Sequence, residues 1–202
     1  DYEALKYFTE FWPSDNTDPI ERLFIQWGFS QVFPAKTMCA HVTTWNKNSS
    51  VKFRTDVAMM CKLGFDIKLA DMSKDDETYC RTAVQNYNRL KPVVLEGDMY
   101  RLVSPYGSNH TSTMYVGKDK DKAAVFAFDI HPRYAEKILP VRLQGLDADK
   151  MYRVKEINLM PGANSSLSGN GEVFSGEFLM NVGLNLFTAQ QLNSRVIEVV
   201  AE

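Results

Sequence analysis

No apolar run in this sequence of 202 residues approaches the roughly 18 that a membrane-spanning helix needs. Charge of one sign is also lacking. Lys and Arg number 23 against 25 Asp and Glu, a net charge of -2, with an isoelectric point near 6.0. Such a balance offers no basic surface for nucleic acid. Cysteine is scarce: Cys39, Cys61 and Cys80 form an odd set without Cys-x-x-Cys spacing. That argues against a disulfide framework or a zinc site and for reduced thiols in or beside helices. Repeats and low-complexity stretches are missing too. What remains is a composition with 45% hydrophobic and 24% charged residues, ordinary for a globular protein. Its length lies between one and two domains and buries about 70% of the unfolded surface.

The chain starts DYEALKYFTEFWPSDNTDP, with no initiator Met, and its densest polar cluster, Ser14 to Asp18, comes almost at once. It reads as a protein opened in its middle, so no targeting argument can be made from it.

Helix signals dominate before residue 92. Asp18-Pro19-Ile20-Glu21 is a capping-box start, and Ile20, Leu23, Phe24 and Trp27 follow at helical spacing toward a stop at Gly28. Residues 53–62 read as a second helix closed by Gly64, and 65–69 alternate as a short strand. Ser73 caps a third helix, whose first turn carries Asp75, Asp76 and Glu77 and which Pro92 ends after Leu90. Strand signals then take over, at 93–95, 100–103, 112–116, 123–130, 139–143, 151–158, 173–175 and 195–200. Turn residues separate them, as expected of an antiparallel sandwich. Residues 178–186 fit either an irregular turn or a strand. The expected fold is α+β: an α/β piece over 1–91, then an all-β piece over 92–202.

Chemistry is expected just after Phe11. An aromatic strand end runs there through Trp12-Pro13-Ser14-Asp15-Asn16-Thr17-Asp18 into a helix cap. In α/β barrels, catalytic groups occupy that place past a strand's C-terminal end. Asp15 and Asp18 both offer carboxylates, although spacing alone favours local roles, Asp18 capping the helix and Asp15 solvating the turn.

This stretch, with Glu21-Arg22-Leu23 and Ile25-Gln26-Trp27-Gly28, resembles the W-x-S-D-[ND]-T-D…RL.IQ.G segment of family 36 glycoside hydrolases, retaining α-galactosidases. Val32-Phe33-Pro34 with Met38-Cys39-Ala40-His41-Val42 is similar to the family's [VA]YP…MGAHV, with Phe for Tyr and Cys for Gly. The segment from Phe53-Arg54-Thr55-Asp56 to Gly64-Phe65-Asp66-Ile67 resembles R-G-N-V-A-M…LGYEL, with Thr55-Asp56 for Gly-Asn. Glu177 to Leu184 resembles the close of the family's C-terminal sandwich.

The resemblance implies a partial (β/α)8 barrel over 1–91, an antiparallel β-sandwich over 92–202, and a two-carboxylate double displacement. It assigns Asp15 as general acid/base. A carboxyl partly desolvated beside Trp12 in a sugar pocket suits a proton donor. It also offers Trp12, Asn16 and His41 as substrate-binding residues, and melibiose- or raffinose-type α-galactosides as partners. No cofactor or metal is expected, no nucleic acid or membrane partner, and a homo-oligomer is. The family's nucleophile motif K-W-D-x-N-R is missing: Trp12, Trp27 and Trp45 are not followed by Asp. Its S-G-G-G-R stretch is missing as well. Both belong upstream, so this chain alone is expected to be inactive. The rival readings are a carbohydrate-binding sandwich and a scaffold without catalysis.

Other residues carry less. Trp45, in the polar loop 43–50, suits a distal sugar or a partner chain. His110 and His131 lie far apart in sequence without evident acidic or Cys partners, which speaks against a metal site. Asn109-His110-Thr111 and Asn164-Ser165-Ser166 fit glycosylation triplets that also arise by chance.

Overall fold

The computed structural model describes residues 2–45 and 48–202; Asp1, and Asn46 and Lys47 of the polar loop, lie outside the described residues. Helix α1 (Pro19–Phe29) starts as its sequence dictates. The Asp18 carboxylate accepts from the Ile20 and Glu21 amides at 3.0 and 3.1 Å, with Pro19 in the first turn. The helix passes through Gly28 and closes at Ser30. Strand β1 (Cys39–Thr43) follows, a strand the hydrophobic pattern did not single out.

Helix α2 (Val51–Ala58) is capped by Ser50 and ends earlier than expected. Strand β2 (Lys62–Asp66) therefore begins within the segment assigned to helix, and Gly64 is a strand residue rather than a helix stop. The reason is long-range. β2 pairs in parallel with β1, Cys39 opposite Lys62 through Thr43 opposite Asp66. A third parallel segment lies beside β1: the Phe11 amide donates to the Thr37 carbonyl at 2.8 Å, and the Cys39 amide to Phe11 at 3.0 Å.

Helix α3 (Lys74–Glu96) corrects the expected stop at Pro92. Proline removes one helix hydrogen bond, at a cost of about 3 kcal/mol. Here Pro92 and Asn88, one turn before it, are both exposed, so the freed carbonyl can meet water. Val93 and Val94, expected as strand, are buried and keep the last turn on the core. Burying two such side chains contributes a comparable amount. Extended structure begins at Gly97.

The rest is one antiparallel sheet: β3 (Asp98–Val103), β4 (His110–Val116), β5 (Lys122–Asp129), β6 (Met151–Ile157), β7 (Val173–Ser175) and β8 (Asn193–Ala201), in the order β3-β4-β5-β8-β6-β7. A short helix α4 (Gly176–Asn181) occupies the start of the ambiguous segment. Strands β4 and β5 are buried on both faces; β5 accordingly carries a nearly continuous apolar run, Ala123 to Phe128, whereas β4 buries His110, Thr111, Ser112 and Thr113 before Met114. One face packs Tyr115, Phe126, Phe128 and Val196 against Leu23, Phe53, Val57 and Leu90 of the helices. The other face is covered by Leu143, Leu146, Leu167, Leu179 and Leu184. Among the described residues this second layer is not a sheet. Its only pairing there is a bridge between Val141 and Leu184, where residues 139–143 were expected as a strand.

The helical half is bolted to the sheet by polar contacts. Fully buried Asp56 of α2 accepts from Tyr79 (2.8 Å) and Asn158 (3.0 Å) on one oxygen, and from Ser194 (2.7 Å) and Lys52 (2.5 Å) on the other. Burial, with Asp56 beside it, holds the Tyr79 phenol well above its ordinary pKa, so it stays a donor. The Tyr115 hydroxyl donates to the Met60 carbonyl at 2.7 Å, and Arg101 of β3 donates to Ser30 at the end of α1. Removing one partner of a buried ionic cluster costs about 3–5 kcal/mol. Asp56→Ala should therefore lower the thermal midpoint by about 10 °C. A midpoint within about 2 °C of the parent would show that the cluster does not hold the halves together.

Candidate functional site

The parallel segments run in one direction, so their C-terminal ends share one rim. Trp12 to Asp15 leaves the Phe11 segment there, and Thr43 and Asp66 end β1 and β2 at the same side. Asp15 is exposed, and its Oδ1 accepts a 3.0 Å hydrogen bond from Trp12 Nε1. The desolvation expected around this carboxyl is thus not supplied by the described residues. The half-buried Trp12 ring lies 4.4 Å from the His41 ring and 5.5 Å from the Arg22 guanidinium carbon. Trp12, Asp15 and His41 are therefore linked side by side.

His41 is exposed rather than buried, and its ring lies over Gly64, the residue paired with it on β2. A Cβ at Gly64 would come within 2.4 Å of His41 Cδ2. Gly64 thus makes the room in which His41 meets Trp12.

Asn16 folds back locally. Its amide donates to Ser14 Oγ at 3.1 Å, and its side-chain oxygen accepts from the Asp18 amide at 2.9 Å. Asp18 is committed to the cap of α1, which separates the two carboxylates of the motif. The Thr17 and Thr43 hydroxyls lie 3.0 Å apart, and Thr43 Oγ1 donates to the Trp45 carbonyl at 3.1 Å. Trp45 is 55% exposed, as its polar loop implied.

Arg22, which motif reading left without a role, lies beneath the loop at 3% exposure. It donates to the carbonyls of Ser14 (3.3 Å) and Cys39 (3.1 Å) and to Gln26 Oε1 (3.3 Å). Burial pulls its guanidinium below the ordinary value. A signal existed in its i,i+4 spacing from Asp18 and to Gln26, but nothing in spacing shows that it turns inward.

The cysteines are free, and only Cys80 is helical; Cys39 opens β1, and Cys61 precedes β2. Burial pushes the Cys61 thiol up to about 12 and Cys80 to about 11, so neither is a ready nucleophile. His110 does have acidic partners, contrary to the sequence reading. Its Nδ1 lies 2.7 Å from Asp129, opposite it on β5, and its Nε2 lies 3.7 Å from Glu136. Among the described residues no group of three or more His, Cys, Asp or Glu is placed to hold a metal. Among them, no helix is long and apolar enough to cross a membrane.

Residues 1–97 match the family described as Melibiase, and residues 110–199 match the glycosyl hydrolase family 36 C-terminal domain. The chain is 34% identical over 200 residues to alpha-galactosidase 2 of Hypocrea jecorina, covering 96% of this chain and 25% of that protein. The crystal structure of the family 36 α-galactosidase AgaB from Geobacillus stearothermophilus superposes with a TM-score of 0.88 at 28% identity, over 100% of this chain and 27% of that one. A variant of AgaA from the same organism, crystallised with raffinose, gives 0.87 at 27% identity over 100% and 27%. These likenesses put the chain among the glycoside hydrolases, with a mixed α+β fold and an antiparallel sheet like theirs. Within that class it belongs to glycoside hydrolase family 36. It spans about a quarter of the length of the relatives it matches.

The contact between Gly64 and His41 can be tested by substitution. Gly64→Ala should push the imidazole off Trp12 and shift the Trp12 indole N–H resonance in NMR spectra. An unchanged indole resonance would show that the ring stack does not depend on Gly64.

Proposed function

We propose that this chain is the C-terminal portion of a retaining α-galactosidase, in which Asp15 is the general acid/base. The observation that carries the reading is the fate of the motif's two carboxylates. Asp18 is spent on capping α1, while Asp15 stands exposed at the C-terminal rim of parallel strands, steadied by Trp12. In the first step Asp15 gives its proton to the glycosidic oxygen as that bond breaks. In the second it takes a proton from the attacking water. The carboxylate that attacks the anomeric carbon lies in a segment outside this chain, since the chain has no Lys-Trp-Asp sequence. Retaining chemistry needs the two carboxyls about 5–5.5 Å apart. The chain alone is therefore inactive.

The substrate class is terminal α-galactosides of the melibiose and raffinose type. The raffinose complex of AgaA, of the same family and fold, supports this. Trp12 offers a ring face for the sugar, with Asn16 and His41 beside it to bind hydroxyl groups. The segment up to α3 supplies the last units of a (β/α)8 barrel. The sheet that follows packs on it as a sandwich-like buttress, and α3 belongs to both.

In the full-length enzyme, Asp15→Asn should lower kcat on melibiose by about 10²–10⁴-fold. Turnover near the parent's would sink the assignment. The isolated chain should self-associate or swap elements through residues 1–70, because among the described residues strands β1 and β2 are extended only by the short bridge at Phe11, with exposed Tyr7, Phe8 and Leu69 nearby in sequence. The parent is proposed to be a homo-oligomer. A monodisperse monomer of the chain in light scattering would count against the self-association.

A further inference from the structure

We propose that Arg22 is a positioning residue for the acid/base, holding Asp15 through the Trp12 ring and the Ser14 carbonyl. The proposal rests on the reading of Asp15 given above.

Arg22 is a buried cation, and among the described residues no carboxylate pairs with it. Taking a guanidinium out of water is costly unless its donors are used. Its donors go to chain atoms around the acidic loop instead. Nη1 meets the carbonyl of Ser14, the residue just before Asp15, at 3.3 Å. Nη2 meets the Cys39 carbonyl at the start of β1, at 3.1 Å. The guanidinium carbon sits 5.5 Å from the centre of the Trp12 ring, within cation–π range. That ring delivers its N–H to Asp15 at 3.0 Å.

Asp15 is thus fixed from two directions, by the Ser14 carbonyl just before it and by its hydrogen-bond donor, and both trace to one side chain. Arg22 is in turn anchored. Its Nε donates to Gln26, whose amide donates to the Val57 carbonyl of α2 at 3.0 Å. Only a planar fork meets two carbonyls and a ring face at once, so Lys cannot take its place. An exposed carboxylate on an untethered loop would sample many directions. A displacement of about 1 Å can cost about 100-fold in a proton-transfer geometry.

The test uses the full-length enzyme and two substrates with the same galactose: melibiose, whose departing sugar needs a proton, and a dinitrophenyl α-galactoside, whose phenolate does not. Comparing kcat/KM for the two isolates acid catalysis, because a lost sugar contact lowers both alike. Arg22→Lys should reduce the melibiose-to-aryl ratio of kcat/KM by about tenfold or more, in the same direction as Asp15→Asn. Trp12→Phe keeps a ring over Arg22 but deletes the donor to Asp15, and should do likewise. If Arg22→Lys fails to fold by circular dichroism, Trp12→Phe carries the test. A ratio equal to the parent's in the folded variants, with Asp15→Asn still selective, overturns this proposal alone. A ratio unchanged in Asp15→Asn overturns the assignment of Asp15 and the proposal with it.

Discussion

The structure depends on one buried carboxylate. Asp56 of α2 is sealed from water and satisfied by four side chains from three other places: Lys52 one turn back, Tyr79 on α3, and Asn158 and Ser194 at the sheet. Its contribution is geometric more than energetic, because a buried ion pair gains little over a well-packed apolar one. What it enforces is a single docking of helices on strands. An apolar interface alone tolerates sliding, whereas this cluster is satisfied in only one register. Asn158 accepts a left-handed backbone (φ +59) at the place from which its amide reaches Asp56. Asn tolerates that conformation better than most residues.

The same helix carries the candidate site. Val57, next to Asp56, offers its carbonyl to Gln26; Gln26 holds Arg22; and Arg22 holds the loop that presents Asp15. The exposed carboxylate is therefore suspended, through one polar chain, from the helix most firmly tied to the sheet. This gives the antiparallel half a physical part in holding the candidate site without contributing a residue to it. Rigidity at an exposed loop has to be supplied from below, and here it comes from buried donors and acceptors.

How far the sequence reveals all this follows from the range of each interaction. Local chemistry is legible. Asp18 caps α1 as read, Ser73 caps α3, and residues 173–175 form β7 as expected. What fails is whatever depends on a distant partner. β1 and the start of β2 exist because they pair with each other, and nothing local in residues 59–62 marks the end of the helical pattern. Pro92 is a helix breaker by its own nature, yet buried Val93 and Val94 override it. His110 meets Asp129 only because β4 and β5 pair in that register. In the site, Asp15, Trp12 and His41 were visible in motif order. Their linkage, and the inward turn of Arg22, come from crossings of the chain that no local pattern records.

The two acidic residues of the loop show why spacing could not choose between them. Both satisfy the preferences of turns and caps, and a capping carboxylate and a catalytic one look identical in sequence. They differ in what their oxygens meet. Asp18 accepts from two amides of a helix start on one oxygen, which commits it to the cap. Asp15 meets a single indole donor and otherwise faces outward. One donor orients the group and leaves it facing outward from the loop. The capping role of Asp18 thus serves the site indirectly: by fixing where α1 begins, it fixes where Arg22 enters beneath the loop.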